Sequence, residues 1–208
     1  MNELLSPFSP RKRCEPVLIG LPGSGKSTLA WRLSELMDLP VVSVDAIAPH
    51  LMPHLGIDAE LAESLYTSGR VAEWLDYVRP FEHTVLEIIL SSHGSCIFDI
   101  GAGHVIGDRP TSLTDALKAF TWVINVRTST SVHDEEEMCR KRLLRRLRRV
   151  KEESLMKNPT HIAEETAKYF ARQWTIYSEL ATLEADTGTS GSRSVARKLA
   201  NHLCQVTC

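Results

Sequence analysis

The sequence predicts a three-layer α/β fold, in which a parallel sheet of about five strands has helices on both faces. Two observations carry this prediction. Short apolar runs alternate along the chain with longer segments of helical periodicity, a pattern typical of βαβ units. The first apolar run leads directly into a glycine-rich turn and an amphipathic segment. In such folds, ligands collect beyond the carboxyl ends of the strands.

The predicted elements follow from hydrophobic periodicity and from turn residues. Strands are expected at Val17–Ile19, Val41–Val44, Ser95–Ile100, Trp122–Val126 and Leu183–Asp186. Helical segments are expected at Ser27–Met37, Ile57–Tyr66, Arg70–Leu90, Thr114–Ala119, Asp134–Leu155, Pro159–Ser178 and Ser192–Leu203. Pro80 lies inside one of these segments and predicts a kink or a boundary between two helices.

Length and charge indicate a single domain with no global electrostatic preference. The 208 residues fit one domain, which we place at residues 16–208 after a disordered or loosely attached tail of residues 1–15. The net charge of −2 gives no overall attraction for nucleic acid or for a membrane surface. No apolar run approaches the roughly 20 residues that cross a bilayer.

The cysteines favour a reducing compartment. There are five of them, they are scattered, and none forms a CxxC pair. We therefore expect neither a disulfide framework nor a zinc site, and we expect a cytoplasmic protein.

The stretch from Gly20 to Ser27 reads GLPGSGKS and matches the pattern GxxxxGK[ST] of a phosphate-binding loop, or P-loop. Glycines let the backbone wrap around phosphate groups, and the following helix contributes its N-terminal partial positive charge. Lys26 is expected to reach the β- and γ-phosphates, and the Ser27 hydroxyl to bind Mg²⁺. The predicted fold is therefore that of a P-loop NTPase, with ATP and Mg²⁺ as cofactors. The predicted nucleotide-binding residues of the loop are Gly20, Pro22, Gly23, Ser24, Gly25, Lys26, Ser27 and Thr28.

Other P-loop classes fit less well than small kinases. A GTPase needs a guanine-reading NKxD motif, which does not follow the predicted fourth strand. The chain is too short for a transport ATPase or for a ring ATPase with an added helical domain. Small kinases that phosphorylate a metabolite or a nucleotide remain.

Two aspartates follow predicted strands at the edge where the P-loop lies. Asp45 ends the second strand, where a carboxylate could accept the proton of an attacking hydroxyl or hold Mg²⁺ through water. The alternative for Asp45 is a helix N-cap. Asp99 ends the third strand, where it could support Mg²⁺ as a Walker B carboxylate does, or simply form a turn. Lys26, Asp45 and Asp99 are the predicted catalytic residues, and Ser27 and Asp99 are the predicted metal site.

Several stretches, in order, resemble the shikimate kinase family within the nucleoside-monophosphate-kinase-like group. The stretches are GLPGSGKST, Val41-Val-Ser-Val-Asp45, Arg79-Pro-Phe-Glu82, Phe98-Asp-Ile-Gly101-Ala-Gly103, Tyr169-Phe-Ala-Arg172, Tyr177 and Ala185-Asp186. The resemblance implies an ATP-dependent kinase acting on a small hydroxylated acid. It also implies that Asp45, Arg79, Gly101, Ala102, Gly103 and Arg172 bind the acceptor.

The sequence departs from the family pattern at three positions. Ser43 stands where the family has a metal-linked aspartate, and Ala102 replaces the middle glycine of a three-glycine turn. Asp99 has no acidic counterpart in the family. We hypothesise that the carboxylate supporting the metal has moved from the second strand to the third.

A basic segment follows four acidic residues after the fourth predicted strand. Acids at the start of a helix and bases at its end complement the helix dipole, so a solvated amphipathic helix accounts for most of this pattern. In this kinase group the region carries a lid, which we place at about residues 133–160. One or two of its arginines, from the set Arg140, Arg142, Arg145 and Arg146, are expected to bind ATP, and we select Arg142 and Arg146. Nucleic-acid binding is not favoured, because the stripe has no aromatic residues.

The sequence thus predicts transfer of the γ-phosphoryl group of ATP to a hydroxyl of shikimate or of a related polyol or hydroxy acid. Two alternatives remain open. One is a kinase with another acceptor, such as a sugar, a nucleoside or an antibiotic-like compound. The other is a nucleotide-binding switch or ATPase without a metabolite acceptor.

Overall fold

The computed structural model describes residues 12–102, 116–151, 158–171 and 174–205. Within them, five strands form one parallel sheet in the order β2-β3-β1-β4-β5. The strands are β1 Val17–Ile19, β2 Val41–Ser43, β3 Ile97–Asp99, β4 Val123–Arg127 and β5 Leu183–Asp186. The predicted parallel α/β sheet is confirmed, and β1, which leads into the P-loop, lies at its centre.

The helices of the described residues connect these strands. They are α1 Lys26–Met37, α2 Val44–Leu51, α3 Ala59–Thr67, α4 Val71–Ser92, α5 Val132–Lys151, α6 Pro159–Ala171, α7 Trp174–Leu180 and α8 Gly191–Gln205. A 3₁₀ turn, Met52–Leu55, follows α2. The predicted helix Thr114–Ala119 is helical at residues 116–118, and residues 114–115 lie outside the described part.

One local prediction was wrong. The second strand ends at Ser43, because Val44 already begins α2, a helix that was not predicted. At Pro80 the sequence predicts a kink or a helix boundary, and α4 continues through this residue without a boundary. The segment predicted as one helix at Pro159–Ser178 is helical in α6 and α7, and residues 172–173 between them lie outside the described part.

The sheet separates two apolar cores, because successive side chains of a strand point to opposite faces. Val17 and Ile19 pack on one face with α4 residues such as Leu86. Leu18 packs on the other face with Leu33 of α1 and other residues of α1 and α8. The three-layer arrangement therefore follows from β1 being buried on both sides.

The chain before β1 is attached to the domain at Arg13. Its guanidinium donates to the carbonyls of Leu90 and His93, the latter at 2.6 Å, and lies 4.5 Å from the ring centroid of Phe120. Residues 1–11 of the predicted tail lie outside the described part. Among the described cysteines, Cys96, Cys139 and Cys204 are free, whereas Cys14 is disulfide-bonded, contrary to expectation. No described helix combines the length and the apolar character needed to cross a bilayer.

Candidate active site

The P-loop joins the end of β1 to the start of α1, as the sequence predicts. Gly20 has φ of +137°, and a Cβ there would lie 2.3 Å from the backbone oxygen of Val126 on β4. Only glycine fits, because any side chain would clash with the neighbouring strand and strain the backbone. The close packing of β1 against β4 thus fixes where the loop begins.

Lys26 lies inside the loop that it follows. Its side chain is 7% exposed, and its ammonium donates to the carbonyls of Gly20 at 2.9 Å and Leu21 at 3.0 Å. Burial lowers the pKa of Lys26, while the carboxylates of Asp99 and Asp45 oppose that shift. The lysine is therefore a desolvated cation held at the loop, where its charge acts strongly on a nearby anion.

Asp99 and Ser27 form a pair at the same edge of the sheet. Asp99 ends β3, directly beside Leu18 of β1 and Ser43 of β2 in the strand register. It is 5% exposed and shares a side-chain hydrogen bond with Ser27. Burial raises the pKa of Asp99 and nearby Asp45 adds to the rise, while the bond to Ser27 and the charge of Lys26 oppose it.

The P-loop and the Ser27–Asp99 pair are suited to a bound phosphate group and its Mg²⁺ ion. The Ser24 hydroxyl is buried in the P-loop and has no hydrogen-bond partner among the described residues. Buried polar atoms normally have partners, so an orphaned hydroxyl in an anion-binding loop indicates a missing ligand. No group of three or more His, Cys, Asp or Glu in the described chain could hold a metal by itself. A Mg²⁺ ion would therefore take most of its ligands from phosphate and water oxygens, as Mg²⁺ commonly does.

Asp45 reaches this edge from α2 rather than from the end of a strand. It is the second residue of α2 and is exposed to solvent. Its carboxylate packs against Gly101, where an added Cβ would lie 1.7 Å from Oδ1. Because Asp45 also interacts electrostatically with Lys26 and Asp99, the structure brings the three predicted catalytic residues together.

The turn after β3 is held by a buried tyrosine. Tyr177 of α7 is 1% exposed, and its hydroxyl donates to the carbonyl of Ala102 at 3.0 Å. Burial raises the pKa of Tyr177 well above its usual range, so this hydroxyl remains a donor. Gly101 and Ala102 are therefore fixed beside Asp45. Gly103 lies outside the described residues.

Arg79 faces α6. Its guanidinium donates to the hydroxyl of Tyr169 and lies 5.7 Å from the centroid of that ring. The hydrogen bond and the cation–π contact together hold the Arg79 guanidinium against Tyr169. Arg172, the other predicted anion ligand, lies outside the described residues.

Arg142 of α5 contacts the P-loop. A Cβ added at Gly23 would lie 3.0 Å from Cβ of Arg142, and the Arg142 guanidinium donates to the Gly23 carbonyl. Arg146, by contrast, interacts with Tyr66 of α3, and no described contact joins it to the loop. The structure therefore brings one of the two predicted lid arginines to the nucleotide loop.

Glu135 fixes the start of α5 and was not identified from the sequence. It is 2% exposed, and its carboxylate accepts from the backbone N–H groups of Thr128 and Ser129 and from the Thr128 hydroxyl, at 2.7–3.0 Å. The sequence signal for this contact is an acidic residue in the first turn of a helix. It did not single out Glu135, because residues 134–137 are all acidic and were interpreted as solvated. This anchor fixes the first turn of the helix that carries Arg142.

Thr187 and Tyr169 were missed as well. The Thr187 hydroxyl donates to the Ser24 carbonyl at 2.9 Å and so ties the loop after β5 to the P-loop. Tyr169 orients Arg79 from a helix distant in the chain. Neither residue belongs to a local motif that marks such a contact.

Comparison with known proteins places the chain in a family. A family model described as AAA domain matches residues 16–164, a range that runs from the start of β1 into α6 and includes the P-loop, Asp45 and Asp99. The protein belongs to this AAA domain family. This AAA domain chain also resembles the shikimate kinase of Rhodococcus jostii (strain RHA1), with 29% identity over 97 residues. That match covers 47% of the chain and spans about half, 51%, of the relative.

Solved structures of shikimate kinases share the fold of this AAA domain chain. The shikimate kinase of Acinetobacter baumannii, in complex with shikimate, superposes with a TM-score of 0.62 at 19% identity, covering 94% of this chain and 95% of that one. The enzyme of Bacteroides thetaiotaomicron superposes with a TM-score of 0.57 at 14% identity, covering 92% and 98%. The AAA domain chain therefore has the P-loop kinase fold of these shikimate kinases.

Proposed function

We propose that this protein is an ATP- and Mg²⁺-dependent kinase that transfers the γ-phosphoryl group to a hydroxyl of a small metabolite, shikimate or a related polyol or hydroxy acid. The observation that carries the proposal is the exposed Asp45 carboxylate, which stands beside Gly101 and interacts with Lys26 and Asp99. A phosphate-binding lysine and an accessible carboxylate close to it are what transfer to a hydroxyl requires.

On the donor side, the P-loop amides and Lys26 would hold the phosphates, with Arg142 above Gly23. Ser27 and Asp99 would hold Mg²⁺, which when bound neutralises charge on the transferring phosphoryl group. Their hydrogen bond keeps both oxygens at the loop in advance, so little reorganisation is needed when the metal binds.

On the acceptor side, Asp45 would orient the hydroxyl and accept its proton as the oxygen attacks. Arg79, oriented by Tyr169, would bind an acidic group of the acceptor. The Gly101–Ala102 turn, fixed by Tyr177, would let the acceptor approach the backbone closely.

A second candidate function is a nucleotide-binding switch or ATPase without a metabolite acceptor. The family description, AAA domain, is the observation that favours it, because it names no phosphoryl acceptor. A kinase with another acceptor also stays open, because Ala102 and Ser43 differ from the shikimate kinase pattern at the edge of the sheet where an acceptor would bind.

The test is ADP formation by the purified chain with Mg²⁺ and ATP, alone and with a panel of hydroxylated acids, sugars and nucleosides. We expect one class of acceptor, hydroxylated acids first, to accelerate ADP formation, with the phosphorylated product visible by mass spectrometry. ADP formation that no acceptor changes, but that a protein or nucleic acid stimulates, would contradict the kinase proposal and support the switch.

Replacing Gly101 with alanine is expected to impair the acceptor side selectively. The new Cβ would displace the Asp45 carboxylate from its position, because 1.7 Å is far inside van der Waals contact. We expect acceptor-dependent turnover to fall about 10²-fold, with ATP affinity by calorimetry nearly unchanged. Gly94→Ala is the matched control, since its Cβ would meet only Glu15, at 3.6 Å. Equal activity of both variants would argue against a role for Asp45.

A further inference from the structure

A basic groove lies along α1 and α8, beginning at the loop after β5 that Thr187 joins to the P-loop. It has a volume of about 670 Å³ and is lined by Arg32 of α1 and by Arg193, Arg197 and Lys198 of α8, together with serines at 190, 192 and 194. None of the P-loop residues lines it, nor do Asp45, Asp99 or Arg79. The residues that we assign to phosphotransfer therefore do not account for this cluster of cations.

The four cations of the groove lack counter-charges within the described part of the chain. No described ion pair or hydrogen bond engages Arg32, Arg193, Arg197 or Lys198. Helix α8 contains no acidic residue, and Glu35 is the only one in α1. This contrasts with α5, where Glu137 binds both Arg140 and Lys141.

Four uncompensated positive charges that line one groove repel one another, and an anion relieves that repulsion. The chain as a whole carries a charge of −2, so this concentration of cations is local rather than a general property of the surface. The guanidinium groups of arginine and the hydroxyl groups of serine donate hydrogen bonds that suit phosphate oxygens. The groove is widely open to solvent, and its volume lies in the range of small-molecule sites, so it fits a compact ligand.

We propose that the groove between α1 and α8 is a second anion site that binds a compact oligophosphate, such as the phosphate chain of a free nucleotide. Arg32 and Arg197 would bind it from the two helices, and Arg193 and Lys198 would complete the charge compensation. The proposal is independent of the kinase activity proposed above.

The test is calorimetric titration of inorganic tripolyphosphate into the full chain carrying Lys26→Met, which removes the P-loop cation. We expect one binding site, with an affinity that falls as salt is raised. Adding Arg193→Glu and Arg197→Glu should weaken binding about tenfold or more, because two charge-assisted contacts are lost. The matched control adds Arg148→Glu and Arg149→Glu, which reverse the same charge on the exposed surface of α5 and should leave the affinity unchanged.

Three outcomes would overturn the proposal. They are no binding to the Lys26→Met chain, equal weakening by the two charge-reversal pairs, and tight binding of a single-stranded oligonucleotide without binding of tripolyphosphate. Circular dichroism of each variant checks that it is folded, which we expect because Arg193 and Arg197 are exposed.

Discussion

Replacing Lys26 with methionine is expected to lower phosphoryl transfer about 10²–10³-fold and to weaken ATP binding. The lysine is a buried cation whose donors reach the carbonyls of Gly20 and Leu21, so it is held where the phosphates would lie. Methionine keeps the approximate length of the side chain but supplies neither charge nor donor. Steady-state kinetics with the accepted substrate and calorimetry with ATP measure the two effects.

The control for this variant is Lys168→Met on α6. Lys168 is exposed and makes no ion pair or hydrogen bond with the described residues, so its loss removes the same charge away from the P-loop. We expect both kinetics and ATP affinity to stay at the level of the unaltered chain. If Lys26→Met kept normal ATP affinity and turnover, the assignment of the P-loop as the donor site would be wrong.

Replacing Asp99 with asparagine is expected to reduce turnover about 10²-fold and to raise the Mg²⁺ concentration needed for half-maximal rate. The amide keeps an acceptor for the Ser27 hydroxyl but loses the negative charge that would support the metal. A titration of Mg²⁺ at saturating ATP separates the two effects. Unaltered activity across that titration would refute the hypothesis that Asp99 has taken over the metal-supporting role.

The same substitution is expected to stabilise the ligand-free protein at neutral pH. Burial raises the pKa of Asp99 in the folded state, so the folded protein binds this proton more tightly than the unfolded chain does. Stability is therefore lost as the pH rises from the pKa of Asp99 in the unfolded chain to its pKa in the folded protein. Above both pKa values, the buried ionised carboxylate destabilises the folded state. A neutral asparagine side chain avoids that cost, so the melting temperature of Asp99→Asn should rise at neutral pH.

The pH dependence makes this stability prediction specific. The gain should shrink as pH is lowered until Asp99 is protonated in the unaltered chain, since both chains then carry a neutral side chain at this position. Asp76→Asn, an exposed substitution on α4, is the control and should shift the melting temperature little at any pH. A melting temperature of Asp99→Asn below that of the unaltered chain at neutral pH would contradict the prediction.

The layers of the fold were predictable because they depend on local patterns. The strands Val17–Ile19 and Leu183–Asp186 have the predicted bounds, and the other three differ by one or two residues at an end. Buried parallel strands are continuous apolar runs, which stand out against amphipathic helices. Helix α2 was missed because Val41–Val44 is a β-branched run that favours a strand, and tertiary packing ends that strand one residue early.

The position of the P-loop was also predictable, whereas the contacts made by the proposed acceptor-binding residues were not. Lys26, Ser27 and the glycines are contiguous, and their spacing itself dictates the loop. Asp45 was predicted to matter, but its contact with Gly101 joins residues far apart in the chain. Tyr169, Tyr177 and Glu135 orient site residues through contacts that no sequence pattern encodes.

The sequence by itself determined the parallel α/β fold and a phosphate-binding loop at the end of its central strand. Both depend on residues that are neighbours along the chain, so periodicity and spacing specify them. Only the tertiary structure decided that Asp45 meets Gly101 from a helix, that Arg142 rather than Arg146 contacts the P-loop, and that Arg32 and Arg197 line one groove. Those contacts depend on how separate helices pack against the sheet, and packing is set by the whole core rather than by any local segment.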